Sequence, residues 1–118
     1  MVSNRITTPK TASADCLLVQ TMTDSPRAAK SMAKTLVKEH LIACGQVIPR
    51  ITSFFIWEGK LESSREYMVL MKTTEERYDA LEKRIRELHT YEVPDIIAWK
   101  ISHGDQTYLR WVRESVHS

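Results

Sequence analysis

Glycine is scarce in this chain: 3 in 118 residues, at Gly45, Gly59 and Gly104, none near another. A phosphate-cradling loop needs closely spaced glycines, so P-loop and dinucleotide-binding fingerprints are excluded. Cysteine is equally sparse. Cys16 and Cys44 stand far apart, which excludes a C-x-x-C redox motif. With no second clustered pair of ligands, a structural tetrahedral zinc site is excluded as well. The histidines, His40, His89, His103 and His117, never fall four apart. Charge of one sign is also missing, since 17 basic and 15 acidic residues leave a net charge of only +2. A nucleic-acid surface would show a basic stripe, and these cations are mixed with acids. The densest basic run, Lys83-Arg84-Ile85-Arg86, is bracketed by Glu82 and Glu87 and reads as a solvated helix face with a Glu82–Arg86 pair. No apolar run approaches the roughly 18 residues of a membrane span. Residues 1–14 lack the apolar core of a secretory signal and read as a disordered tail. Arg5 and Lys10 without any acid keep a transit-peptide reading open beside it. Two thiols without an export signal imply free cysteines in a reducing compartment, hence a cytoplasmic protein.

What the chain does have is a long β-rich stretch, Ala43 to Thr73. Two apolar runs flank a polar turn at Glu58-Gly59-Lys60, the signature of a hairpin. Its first arm, Cys44 to Trp57, would extend about 45 Å at the usual strand rise. A compact domain of about 100 residues has a radius of gyration of only about 13 Å, so the hairpin must bend or project. Phe54, Phe55, Ile56 and Trp57 are consecutive and place large apolar groups on both faces of the strand. Nothing left in a single 118-residue domain covers both, so these four residues imply an oligomer interface. Pro49 cannot donate to a ladder and marks a bend or bulge between Ile48 and Ile51.

Around the hairpin the chain reads in order. Cys16–Met22 is a buried strand. Ser25 and Pro26 cap an amphipathic helix whose apolar positions are Ala28, Ala29, Met32, Ala33, Leu36, Val37, His40 and Leu41. Thr73 and Glu76 have the spacing of a capping box and predict a second helix starting there, with Tyr78, Leu81, Ile85 and Leu88 as its stripe. Val93–Ile101 predicts a last strand and Gln106–Val116 a last helix. The order β-α-β-β-α-β-α defines an α+β class: one ferredoxin-like βαββαβ sandwich over residues 15–118, with an added C-terminal helix. Its usual strand order, 4-1-3-2, separates the first and second strands. That keeps Cys16 from reaching Cys44.

No group announces catalysis. A Cys44–His89 dyad has no third residue to orient it, so the chain reads as a non-enzyme. Cys44, His89 and the carboxylates Glu66 and Asp95 are the candidate ligands for copper or another divalent cation, although a free strand cysteine is ordinarily just a small buried hydrophobe. Trp57, Tyr67, Lys72 and Tyr91 are aromatic or cationic residues at strand ends and form a candidate ligand pocket between subunits. They serve equally well as plain interface filling.

Ala43-Cys44, Ile48-Pro49, Ser53, Trp57-Glu58-Gly59-Lys60, Glu66 and Lys72-Thr73, then Leu88-His89-x-Tyr91-x-Val93-Pro94 and Tyr108-Leu109-x-Trp111, occur in that order. Over roughly Leu17 to Glu114 this pattern resembles the CutA family. The resemblance implies a tight homotrimer related in architecture to the PII signalling proteins, a cytoplasmic and thermally robust protein, and a link to divalent-cation tolerance with weak copper binding. It implies no enzymatic activity and no required cofactor, and it names no protein partner. The chain departs from the family pattern at Thr90, where proline is usual, and at Asp95, where glutamate is usual. Positions that hold extra thiols in some members are Gln20 and Arg84 here, so Cys44 is the remaining soft ligand. A regulatory trimer that binds a small metabolite, and a trimeric scaffold, are the alternatives.

Overall fold

The computed structural model describes residues 15–117; the expected tail over 1–14 lies outside them. The elements are β1 (Cys16–Thr23), α1 (Pro26–Lys38), β2 (Cys44–Trp57), β3 (Lys60–Thr74), α2 (Tyr78–Leu88), β4 (Ile96–Lys100) and α3 (Gln106–Ser115), with a 3-10 turn over Glu75–Arg77 leading into α2. The sheet order is β2-β3-β1-β4, antiparallel throughout, which is the ferredoxin-like arrangement with one added helix. β3 lies between β1 and β2, and both cysteines are free thiols.

Local chemistry explains most of these boundaries. The Ser25 hydroxyl accepts a hydrogen bond from the Ala28 N–H at 3.0 Å, and Pro26 takes the first position of α1. α1 lays Ala29, Met32, Ala33 and Leu36 on one sheet face, and α2 adds Leu81 and Ile85, meeting Leu17, Val19, Val69 and Met71. Each fully buried side chain of this size contributes about 1.5–3 kcal/mol. Gly45 permits the close approach of α1, since a Cβ there would sit 3.1 Å from both the Ala33 Cβ and the Ile42 Cδ1. α3 starts on Asp105, whose carboxylate accepts from the Tyr108 N–H at 2.9 Å. It packs Val112 and Leu109 on Cys16 and Ala43. Cys16 is an odd number of residues from Val19, so α3 covers the end of the opposite face.

Three expected boundaries move. The first helix ends at Lys38 with Glu39 as its C-cap, and His40 takes a left-handed φ of 61°, so His40 and Leu41 fall outside it. The second helix does not start on a Thr73–Glu76 capping box. Thr73 is still in β3, opposite Leu17, and its buried hydroxyl donates to the Leu41 carbonyl at 2.8 Å. That partner holds it in the strand. The last strand does not begin at Val93. The ladder with β1 ends at Thr21–Ile96, because the next β1 amide, Met22 N–H, donates to the Asp95 carboxylate at 3.0 Å.

The hairpin behaves as its length requires. β2 and β3 pair from Cys44–Lys72 to Trp57–Lys60, with one register shift between Ile48 and Ile51. There Pro49 and Arg50 together face Tyr67, a bulge of the kind that bends a strand. The tip closes in two residues, Glu58 and Gly59, with φ of 50° and 81°. Two positive φ values mark the turn that matches strand twist. The described chain measures 55 × 25 × 23 Å with a radius of gyration of 16.1 Å, and the projecting hairpin accounts for that elongation.

Candidate functional site

Polar side chains gather at two places on the sheet. The first lies where β1 ends, β3 passes by and the α2–β4 connection crosses. The Tyr91 hydroxyl donates to Glu66 Oε2 at 2.7 Å, and Glu66 is a buried carboxylate. The Tyr91 N–H donates to His89 Nδ1 at 3.0 Å. That leaves the proton of the neutral ring on Nε2, which donates to the Met22 carbonyl at 2.8 Å. The adjoining Met22 N–H is held by Asp95. Burial first, and Glu66 second, push the Tyr91 phenol well above the usual tyrosine range. Burial also raises the Asp95 carboxyl, against the opposing Met22 N–H bond, with the Glu66 charge adding to the rise. Glu66, His89, Tyr91 and Asp95 are thus brought together. Their hydrogen bonds run mostly to backbone and to each other, which fixes the α2–β4 connection despite Thr90 standing where a proline would rigidify it.

The second cluster lies at the other end of the same strands. Lys72 Nζ donates to Gln46 Oε1 at 2.9 Å and lies 6.0 Å from the centre of the Tyr108 ring. The Cys44 thiol meets the Tyr108 hydroxyl at 3.7 Å. Burial and Cys44 push the Tyr108 phenol up to about 12. Beneath it, burial raises the Cys16 thiol against the nearby Arg113.

These positions separate several residues that the sequence suggested as partners. Cys44 pairs with Lys72, whereas the Met22 that holds His89 pairs with Met68, four residues and so about 13 Å along β3. Within one chain Cys44 does not join His89, Glu66 or Asp95. Both His89 nitrogens are already engaged, and among the described residues no group of three or more His, Cys, Asp or Glu side chains is arranged so that it could hold a metal ion. Within one chain the four residues of the ligand pocket expected between subunits are not brought together. Tyr67 and Tyr91 both adjoin Glu66, but Lys72 belongs to the Cys44 cluster and Trp57 pairs with Lys60 at the hairpin tip. Phe54, Phe55, Ile56 and Trp57 are all solvent-exposed in the single chain.

Sequence reasoning named Glu66 and Tyr67 but missed the groove that joins them to Arg50, Thr52 and Arg65. This groove, of about 480 Å³, lies beside the bulge. The available signal was Pro49, which announces the bulge and hence an unusual aim for the residue after it.

Fold and site together define a ferredoxin-like α+β sandwich with an extended two-stranded arm, polar clusters at strand ends and a last helix closing one end of the open sheet face. Residues 17–115 match the model of the CutA1 divalent ion tolerance protein family, and the chain belongs to that family. It is 40% identical over 91 residues to the divalent-cation tolerance protein CutA of Thermus thermophilus, covering 77% of this chain and 88% of that one. It is 38% identical over 92 residues to the human protein CutA, covering 78% of this chain but 51% of the human one, so it spans about half of that relative's length. Among solved structures, the CutA of Archaeoglobus fulgidus, described as periplasmic, superposes with a TM-score of 0.83 at 32% identity, covering 86% of this chain and 99% of that one. No described helix is long and apolar enough to cross a membrane.

Proposed function

We propose that this protein is a non-enzymatic homotrimer of the cytoplasm that serves divalent-cation tolerance by binding, not by catalysis. One observation carries the assembly. Phe54, Ile56, Trp57 and Leu61 are 71%, 66%, 57% and 72% exposed on an arm that leaves the chain's own core. Ile97 and Trp99 on β4, with Trp111 on α3, add exposed apolar surface. Soluble monomers rarely carry so much contiguous apolar surface, and a symmetric ring of copies covers it. Cu(II) or another divalent cation then binds weakly between copies, with Cys44 as the soft donor, and no cation is needed to hold the fold. Size-exclusion chromatography with light scattering tests the assembly: trimer for the natural chain, smaller species for Phe54→Asp and Trp57→Asp, since a buried unpaired charge costs several kcal/mol. Intact trimers from both variants refute this interface. Calorimetric titration with Cu(II) tests the donor, with weaker binding expected for Cys44→Ala.

A second reading, a regulatory trimer that binds a small metabolite, draws support from the convergence of Glu66, His89, Tyr91 and Asp95. The short hairpin turn offers no flexible signalling loop in its favour.

A further inference from the structure

We propose that the groove beside the β2 bulge is a binding site for a small anion, a carboxylate or phosphate whose neighbouring carbon carries a hydroxyl or amino group. The inference gives the small-metabolite reading a location and a ligand class, and it rests on that reading.

The lining carries two guanidinium groups, Arg50 and Arg65, against one carboxylate, Glu66. Among the described residues neither arginine enters an ion pair or a side-chain hydrogen bond. One oxygen of that carboxylate, Oε2, accepts from Tyr91, which offsets part of its pull on the guanidinium groups. The excess charge at the groove is therefore positive, and guanidinium forks bind carboxylate and phosphate oxygens two at a time. Thr52 stands directly across the ladder from Arg65, and Tyr67 shares Arg65's face two residues on. Their hydroxyls add donors, and the Tyr67 ring supplies a wall. Glu66 also lines the groove; strand alternation turns it away from Arg65 and Tyr67, and Tyr91 holds its Oε2. Its other oxygen, Oε1, serves in the proposed site as the acceptor for a donor on the carbon next to the anion, and that requirement favours hydroxy acids, amino acids or sugar phosphates over simple anions.

The backbone supports the same conclusion. Arg50 has φ of +64°, a left-handed conformation that glycine or asparagine adopts far more cheaply than arginine. In the bulge Pro49 and Arg50 share one cross-strand partner, which takes the Arg50 side chain out of the strand's alternation. Such strained positions cluster at ligand sites. The volume, about 480 Å³, lies within the range of small-molecule sites.

The test is calorimetric titration of the full-length natural chain, Arg50→Gln and Arg65→Gln, with inorganic phosphate, glycerol 3-phosphate, malate and acetate as probes at matched sodium chloride. Malate or glycerol 3-phosphate is expected to saturate the natural chain, and the arm that does so names the anion. Inorganic phosphate and acetate should bind more weakly. Loss of one charge-assisted contact is expected to weaken binding about tenfold or more in each variant. Thermal unfolding of both variants without ligand checks that these exposed substitutions leave the fold intact. Saturation that is equal in the natural chain and both folded variants overturns the placement while leaving a metabolite site elsewhere. Absence of saturation by any probe overturns both the placement and the small-metabolite reading.

Discussion

The two halves of one hairpin differ more than any two separate elements of this molecule. Below the bulge, β3 presents Val69 and Met71 with no exposed surface, under α1 and α2. Above it, the same two strands carry Phe54, Ile56, Trp57 and Leu61 into solvent, held by little besides their own ladder. A two-stranded ribbon is marginal alone in water. The lower half belongs to the chain's own core, and the upper half carries its apolar side chains outside that core. The border is chemical as well as geometric: Pro49 and Arg50 break the register, and Glu66 with Tyr91 pins β3 at the same level.

The largest effects should fall below the border. Ile85 is fully buried, and Ile85→Ala should cost about 2–5 kcal/mol through lost burial and the cavity left behind. Leu61→Ala should stay within about 0.5 kcal/mol of the parent, as exposed substitutions do. Urea unfolding of both, in the Phe54→Asp background to keep assembly out, measures the contrast. Equal costs would mean that the arm shares the core's cooperativity and that the border is false. A middle-sized effect is expected at the border itself. Tyr91→Phe strips the buried Glu66 of its hydroxyl donor, costing about 1–3 kcal/mol. Hydrogen exchange should quicken around Ile51 and Arg65 while Val69 and Met71 remain protected. Uniform quickening across β3 would contradict a boundary at this level.

Much of the lower half was legible because short-range rules governed it. Ser25-Pro26 and the positions from Ala29 to Leu36 place the start and body of α1 without any tertiary information; in the upper half, the consecutive Phe54–Trp57 block announces the apolar surface that stays exposed in the single chain. The misses occurred where a distant partner decided the outcome. Thr73 has the spacing of a helix cap, yet the Leu41 carbonyl, far away in sequence, holds it in β3. The residues before Ile96 look like strand, yet Asp95 takes the Met22 amide that the ladder needed. Candidate ligands fared similarly. Glu66, His89, Tyr91 and Asp95 do assemble, but His89 proves to be a splint between two backbone groups. Cys44 lies at the far end of the sheet, because β-register, invisible in composition, sets distances along a strand. The groove arginines carry no motif; only their places across a bulge unite them.

A smaller effect, of opposite sign, is expected at the bulge. Arg50→Gly relieves a left-handed backbone worth about 1–2 kcal/mol and gives up about 0.5–1 kcal/mol through glycine's freedom in the unfolded chain. The net is a stabilisation between about 0 and 1.5 kcal/mol, read as a small rise in unfolding midpoint. A loss of stability would show that the Arg50 side chain, and not its backbone, sets the border.

The smallest effect concerns the edge where β4 joins the lower half. Asp95 lies at the rim, and the partial burial of its carboxyl is the first cause that raises it above the ordinary aspartate value of 3.8. A carboxyl raised on folding favours the folded state most at pH below its unfolded value. That advantage is lost as pH rises through its folded value, because the chain must then hold a charge that water would hold better. Asparagine keeps an oxygen for the Met22 N–H and never ionises. Asp95→Asn should therefore gain on the parent as pH climbs from about 3 toward 7, with most of the change just above the unfolded aspartate value. Solvent screening at the rim keeps the gain small. Urea midpoints of both chains across that range, again in the Phe54→Asp background, give the difference curve. A curve that falls with pH would mean that the Met22 N–H bond outweighs burial, so that the charged carboxylate itself holds the end of the sheet.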